Sequence, residues 1–190
     1  MALNQVTAEE LKKHLPGRIL SFGHPGHIER VDLTGSTLAS VDLFGHEGME
    51  WIADLSLPHD FGPYDVVLDP GTIEHCSNPA QAFINAASAV RSGGVIIHES
   101  PVTMVNHGYW NLCPSWFEDF YGHNRFKIER MELTKGPSYD AVKIVPWPTS
   151  NRCEFIHLPM ETCVLVVARR HGTDPITLPL CEKKWQPSTL

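Results

Sequence analysis

Apolar positions in this chain come in short runs separated by Gly, Pro and Asp, and the runs switch between strand and helix periods. Thr7-Ala-Glu-Glu10 has capping-box spacing and predicts a short helix over about 8–14, closed by Pro16-Gly17. Arg18–Phe22 reads as a strand, followed by a Gly23-His24-Pro25-Gly26 turn and a brief helix over about 27–31. Further strands are expected at 38–43, 50–54 and 65–69. Asn78-Pro79 supplies a cap and a first-turn proline to a helix whose Ala82, Phe83, Ala86, Ala87 and Val90 share a face, with Gly93-Gly94 as its stop. The continuous apolar run Val95–His98 fits a central strand of a parallel sheet. Residues 114–121 predict a helix with an aromatic face, 126–133 a strand with one wet face, and 162–168 a β-branched last strand. The stretch 136–152 is Pro-rich and irregular, and the tail 172–190 is expected to pack loosely over the surface.

Strand–helix repetition followed by two late strands predicts an α/β, Rossmann-like doubly wound sheet, mostly parallel, with helices on both faces. Seven strands are expected, with antiparallel pairing at the closing edge. A length of 190 residues suits one domain over 1–190, its core running from about 17 to 170. No internal repeat or second domain stands out.

Charge and composition narrow the partners. The net charge of −7 disfavours nucleic acid, which requires clustered Lys and Arg. No apolar run is long enough to span a bilayer, so no membrane is expected, and Met-Ala-Leu-Asn-Gln carries no signal-peptide pattern. Cys76, Cys113, Cys153, Cys163 and Cys181 are odd in number, with no close pair. That favours reduced thiols in a cytoplasmic protein.

Ligands of open α/β sheets sit at the carboxyl ends of the strands. Gly23, His24 and Gly26 follow the first strand, where small residues let a cofactor approach the backbone; a plain tight turn explains them equally. Asp42, about 20 residues past Gly23, stands where an acid accepts from ribose hydroxyls. Asp54 can accept from an adenine amino group between Ile52 and Leu55, or initiate the turn that follows it. Tyr64–Pro79 holds the densest chemistry: a strand ending in Asp69-Pro70-Gly71, then Glu74-His75. Glu74 and His75 suit an acid–base pair, metal ligands or structural anchors, and His75 titrates in the useful range. In Asn106-His-Gly-Tyr-Trp110, His107 is a candidate base, and Tyr109 and Trp110 are candidate substrate walls.

Taken together, these segments resemble the class I S-adenosylmethionine-dependent methyltransferases, in particular the small type 11 group. The likeness covers about Arg18 to Phe126 and rests on Tyr64-Asp-Val-Val, Glu74-His75, Asn78-Pro79, Ser92-Gly-Gly-Val, Val41-Asp-Leu43 and Trp51–Pro58. His107-Gly-Tyr-Trp and Pro114–Tyr121 add to it. It implies S-adenosylmethionine as cofactor, held by Gly23, His24, Gly26, Asp42, Leu43, Asp54, Leu55, Asp69 and Pro70. It also implies methyl transfer to oxygen or nitrogen of a small-molecule acceptor, with His75 and His107 as catalytic candidates. Three departures stand out. Ser21 replaces a customary acid, and Pro25, which has no amide hydrogen, replaces a glycine of the first turn. Gly71 occupies the first position of the Glu-x-x-Glu-His metal pattern of some relatives, so no metal is expected. Two other readings remain: a non-catalytic binding or scaffold module on this fold, and a nicotinamide-dependent enzyme, which fits the first turn less well. With no inserted cap domain, the acceptor pocket is expected from 102–121, from 136–152 or from a homodimer partner.

Overall fold

The computed structural model describes residues 4–45, 47, 49–135, 143–146 and 161–181. The rest of the Pro-rich stretch, Cys153 and residues 182–190 of the tail lie outside the described residues. In chain order the elements are α1 (Gln5–Lys12), β1 (Arg18–Phe22), β2 (Thr37–Asp42), β3 (Trp51–Ile52), β4 (Tyr64–Asp69), α2 (Pro79–Ala89), β5 (Val90–Pro101), α3 (Pro114–His123), β6 (Phe126–Lys135), β7 (Lys143–Pro146) and β8 (Thr162–Arg170). Single 3-10 turns cover Pro25–Ile28 and Ile73–His75.

All strands join one sheet in the order β3-β2-β1-β4-β5-β8-β6-β7. β1 to β5 are parallel, and β8 runs antiparallel between β5 and β6. The seven expected strands are present, and the late pair does close antiparallel. An eighth strand, β7, lies inside the stretch expected to be irregular; it pairs Glu132–Lys135 with Lys143–Pro146 at the sheet edge.

Alternation along the strands feeds two cores. Leu20, Phe22, Val41, Val67, Ile96 and Val166 point to one face, beneath Phe83 and Ala86 of α2 and Phe117, Phe120 and Tyr121 of α3. Ile19, Val66, Leu68, Val95 and Ile97 point to the other, beneath Leu11 of α1 and Ile28. Helices therefore cover both faces, as expected. Loops alone make the β2–β3 and β3–β4 connections, which leaves the carboxyl ends of those strands open.

Several boundaries differ from the sequence pattern for physical reasons. The first helix is capped by Asn4, whose side chain accepts from the Thr7 amide at 2.8 Å; Thr7 instead donates its hydroxyl to Glu99 at 2.9 Å. Glu10 does not reach back to close a capping box, because it pairs with Arg130 at 2.6 Å and Lys13 at 2.7 Å. The helix after β1 shrinks to one 3-10 turn. α2 ends at Ala89, ahead of Gly93-Gly94; those glycines carry β5 over β4, where a Cβ at 94 would sit 2.8 Å from the Asp65 carbonyl oxygen. The tail is pinned at its start: Thr177 bonds to His123 and Asn124 at the end of α3.

Glu99 of β5 docks α1 by accepting from Asn4 and Thr7. Burial pushes its carboxyl up to about 7, against the lowering effect of those two hydrogen bonds. The folded chain thus holds this proton more tightly than the unfolded chain. The resulting stabilisation is complete below the unfolded value of 4.5 and is lost as pH rises through about 7. Replacing Glu99 with Gln removes this titration. The melting-temperature difference, Glu99→Gln minus wild type, is therefore expected to increase from pH 5 to pH 8, and a difference flat with pH would contradict the assignment.

Candidate active site

The strand order reverses at β1: the chain steps outward to β2 and β3, then returns to β4 on the other side. The crevice over the carboxyl ends near this switch is where an α/β sheet binds ligands. A cavity of about 350 Å³ opens there, lined by Asp42, Leu43 and Phe44 after β2, Ala53 to Ser56 after β3, and Thr72, His75 to Ser77 and Tyr109. The structure thus gathers Asp42, Leu43, Asp54, Leu55, His75 and Tyr109 around one space. Gly23, His24, Gly26, Asp69, Pro70, His107 and Trp110 are not part of this lining.

The acids of the cavity belong to short Asx turns. Asp42 accepts from the Phe44 amide at 3.3 Å and Asp54 from the Ser56 amide at 2.8 Å, each through one oxygen. The turn-forming and ligand-facing readings of Asp54 are therefore compatible. Ile52 is exposed and outside the lining, so Leu55 alone of the proposed flanking pair meets the cavity. Among the described residues no Lys or Arg lines this space. Cys76 does, but burial first, with nearby carboxylates, pushes its thiol up to about 12, which removes it as a thiolate nucleophile.

Groups in two of the expected cofactor-contact segments are engaged within the chain. In the first turn, the Gly26 amide is taken by Nδ1 of His24 at 2.9 Å and is not free to cradle a ligand. Gly23 holds φ +83° and donates to the Val41 carbonyl at 2.7 Å. The Thr72 hydroxyl bridges the turn after β4 to the end of β1, donating to the Phe22 carbonyl at 3.1 Å. Asp69 is fully buried and structural. One oxygen accepts from the Thr72 and Ile73 amides at 2.9 and 3.2 Å; the other faces Nδ1 of His98 at 2.8 Å. Nε2 of His98 in turn meets the Tyr121 hydroxyl. Burial holds the Tyr121 phenol far above its ordinary pKa, so its hydroxyl keeps its proton for the hydrogen bond with Nε2 of His98. Nothing in the sequence pattern signals this line, because His98 and Tyr121 sit in segments that read as core.

Beside it, the 3-10 turn carries Glu74 inward and His75 outward. The Glu74 side chain is buried, and neither carboxylate oxygen has a hydrogen-bond partner. Burial, with the Asp69 charge second, raises its carboxyl well above the ordinary range. The loop after β5 folds over this turn, with the Tyr109 and Trp110 amides donating to the Glu74 carbonyl at 2.8 and 3.2 Å. Gly108 permits that approach with φ +68°; a Cβ there would meet Glu74 Cγ at 2.9 Å. The fold brings His107 Nε2 to 3.5 Å from Glu74 Oε1, and the His75 and His107 rings meet edge to face at 5.0 Å. Burial, then His107, lowers the His75 pKa, so its imidazole is neutral at pH 7. Trp110 donates to the Cys76 carbonyl at 2.9 Å and acts as a clamp on the turn, whereas Tyr109 reaches the cavity.

No protein-family model matches this chain, and no curated protein is similar to it in sequence. Solved structures share its fold. The N-methyltransferase NodS of Bradyrhizobium japonicum WM9, in complex with S-adenosyl-L-homocysteine, superposes with a TM-score of 0.59 at 12% identity over 87% of this chain and 86% of its own. The Burkholderia thailandensis 1,6-didemethyltoxoflavin-N1-methyltransferase, with its substrate and S-adenosylhomocysteine bound, gives 0.57 at 14% identity over 88% and 78%. TehB of Haemophilus influenzae gives 0.58 at 12% over 88% and 62%. The fold is that of the class I S-adenosylmethionine-dependent methyltransferases. On this methyltransferase fold, the buried Asp69–His98–Tyr121 line holds the floor of the site. Tyr121→Phe leaves Nε2 of His98 without a donor and is expected to destabilise the fold by about 1–3 kcal/mol in urea titration. Unchanged stability would contradict the line's structural role.

Proposed function

We propose that this chain binds S-adenosylmethionine in the cavity at the ends of β2 and β3 and transfers its methyl group to an oxygen or nitrogen of a small molecule. The observation that carries this reading is the chemistry of the lining: among the described residues, two carboxylates, Asp42 and Asp54, and no Lys or Arg. Such a wall suits a cationic ligand rich in hydroxyl and amino donors and is poor for a pyrophosphate, which needs amides or cations. It therefore favours the methyl donor over a nicotinamide dinucleotide. The cavity volume falls at the lower end of that of small-molecule sites.

Bound there, the cofactor supplies a methyl group already activated by its sulfonium. Asp42 would accept from the ribose hydroxyls and Asp54 from the adenine amino group, with Leu43 and Leu55 against the ring. His75 is the neutral imidazole at the cavity wall able to engage the acceptor, and exposed Tyr109 would form part of the acceptor's wall. Positioning supplies much of the rate in such a transfer. The exposed Leu43, Phe44 and Tyr109 at the mouth favour a covering partner, and a homodimer fits that need. Among the described residues Cys76, Cys113 and Cys163 are free thiols, which supports a reducing, cytoplasmic setting. Among the described residues no helix is long and apolar enough to cross a membrane.

The consumed Gly26 amide and the Thr72 bridge support a second reading, a module that keeps the fold without the chemistry. Calorimetric titration with S-adenosylhomocysteine separates the two. One-to-one binding is expected, weakened about 10- to 100-fold by Asp42→Ala, the worth of a lost charge-assisted contact. No heat and no thermal shift at millimolar ligand would overturn the enzyme reading, and unchanged affinity in Asp42→Ala would remove Asp42 from the ribose role.

A further inference from the structure

Three donor side chains converge where the loop after β5 crosses the Ile73–His75 turn. Glu74, His75 and His107 each offer one ligand atom within 4.8 Å of the others. Nε2 of His107 stands 3.5 Å from Oε1 of Glu74. Donors about 2.0–2.2 Å from one ion lie roughly 3–3.5 Å apart, so this edge of the triangle already has ligating dimensions. We propose that Glu74, His75 and His107 form a binding site for a divalent zinc-like cation at the wall of the cavity.

The surroundings support a built site. The buried Glu74 carboxylate has no hydrogen-bond partner, a costly arrangement that a cation at the same spot would relieve. Among the described residues no Lys or Arg pairs with it. Asp69 and Glu99 lie close enough to add negative potential. Space beside the carboxylate is kept by Gly71, where a Cβ would sit 3.0 Å from Oε1 of Glu74. His107 is held in place by backbone: the Tyr109 and Trp110 amides anchor the loop to the Glu74 carbonyl, and Gly108 makes the approach possible. The sequence pattern pointed away from metal because Gly71 lacks a carboxylate. The fold supplies the third donor from His107 instead.

Two imidazoles and one carboxylate are a donor set for zinc and its neighbours, with coordination positions left open. His75 also lines the cavity, which would put a cation held there beside the proposed acceptor. That placement rests on the methyl-transfer reading, whereas cation binding does not.

The test is a cobalt(II) titration of the tag-free, chelator-treated full chain, followed by its visible absorption and by competition with zinc. One saturating cobalt per chain, displaced by zinc, is expected. Loss of a supporting group around a metal costs about 10–100-fold in affinity, so removing a direct ligand in Glu74→Gln or His107→Ala should cost at least about 100-fold. Glu74→Gln preserves side-chain volume and His107 is partly exposed, so circular dichroism of both variants is expected to match wild type. Absence of saturable cobalt binding, or equal affinity in wild type and the folded His107→Ala variant, would overturn the site. S-adenosylhomocysteine calorimetry on the same samples reports the methyltransferase reading separately: cobalt without nucleoside binding keeps the cation site alone, and the converse removes it alone.

Discussion

The buried contact of Asp69 with His98 is the constraint on which the site depends. These residues face each other in register across β4 and β5 at the end of the sheet where ligands bind. Asp69 also caps the turn that follows it, and His98 reaches Tyr121 on α3. One fully buried line therefore ties two central strands, a helix and the Ile73–His75 turn. A charge so deep is tolerated only when each oxygen has a donor, and here both do. Its satisfaction sets the turn, and the turn decides that Glu74 points inward and His75 outward.

The rest of the site is arranged around negative charge. Asp42 and Asp54 face the cavity from turns of their own, and the charge of buried Asp69 helps to hold the proton on Glu74 behind its wall. Positive side chains pair elsewhere, as Arg130 does with Glu10 and Glu132, and Arg169 with Glu129. A pocket so polarised selects ligands that carry positive charge or donate hydrogen bonds. The same polarity links the proposed sulfonium cofactor and the proposed cation, although the two rest on different side chains.

The seven strands, their mostly parallel sense and the loop residues of the cavity were legible because they follow from strand periodicity, turn chemistry and the rule that ligands gather at carboxyl ends. Asp42, Leu43, Asp54, Leu55, His75 and Tyr109, singled out in this way, all line the one cavity. What escaped depended on pairing between distant segments. Thr7 read as a cap, yet its hydroxyl belongs to Glu99 of β5. Asp69 read as a ligand contact, yet His98 and two amides consume it. The first turn promised free amides, but His24 accepts the one from Gly26. His107 and Glu74 are far apart in sequence and meet only because Gly108 lets a loop lie flat on the turn. Local pattern shows which residues can do chemistry; register and loop packing decide which of them meet.

The most direct test is a crystal structure of the chain grown with S-adenosylhomocysteine. The account predicts ligand density within the cavity, with the ribose against Asp42 and the adenine beside Asp54 and Leu55. Density lying instead between Gly23 and Asp69, or an empty cavity at saturating ligand, would contradict it.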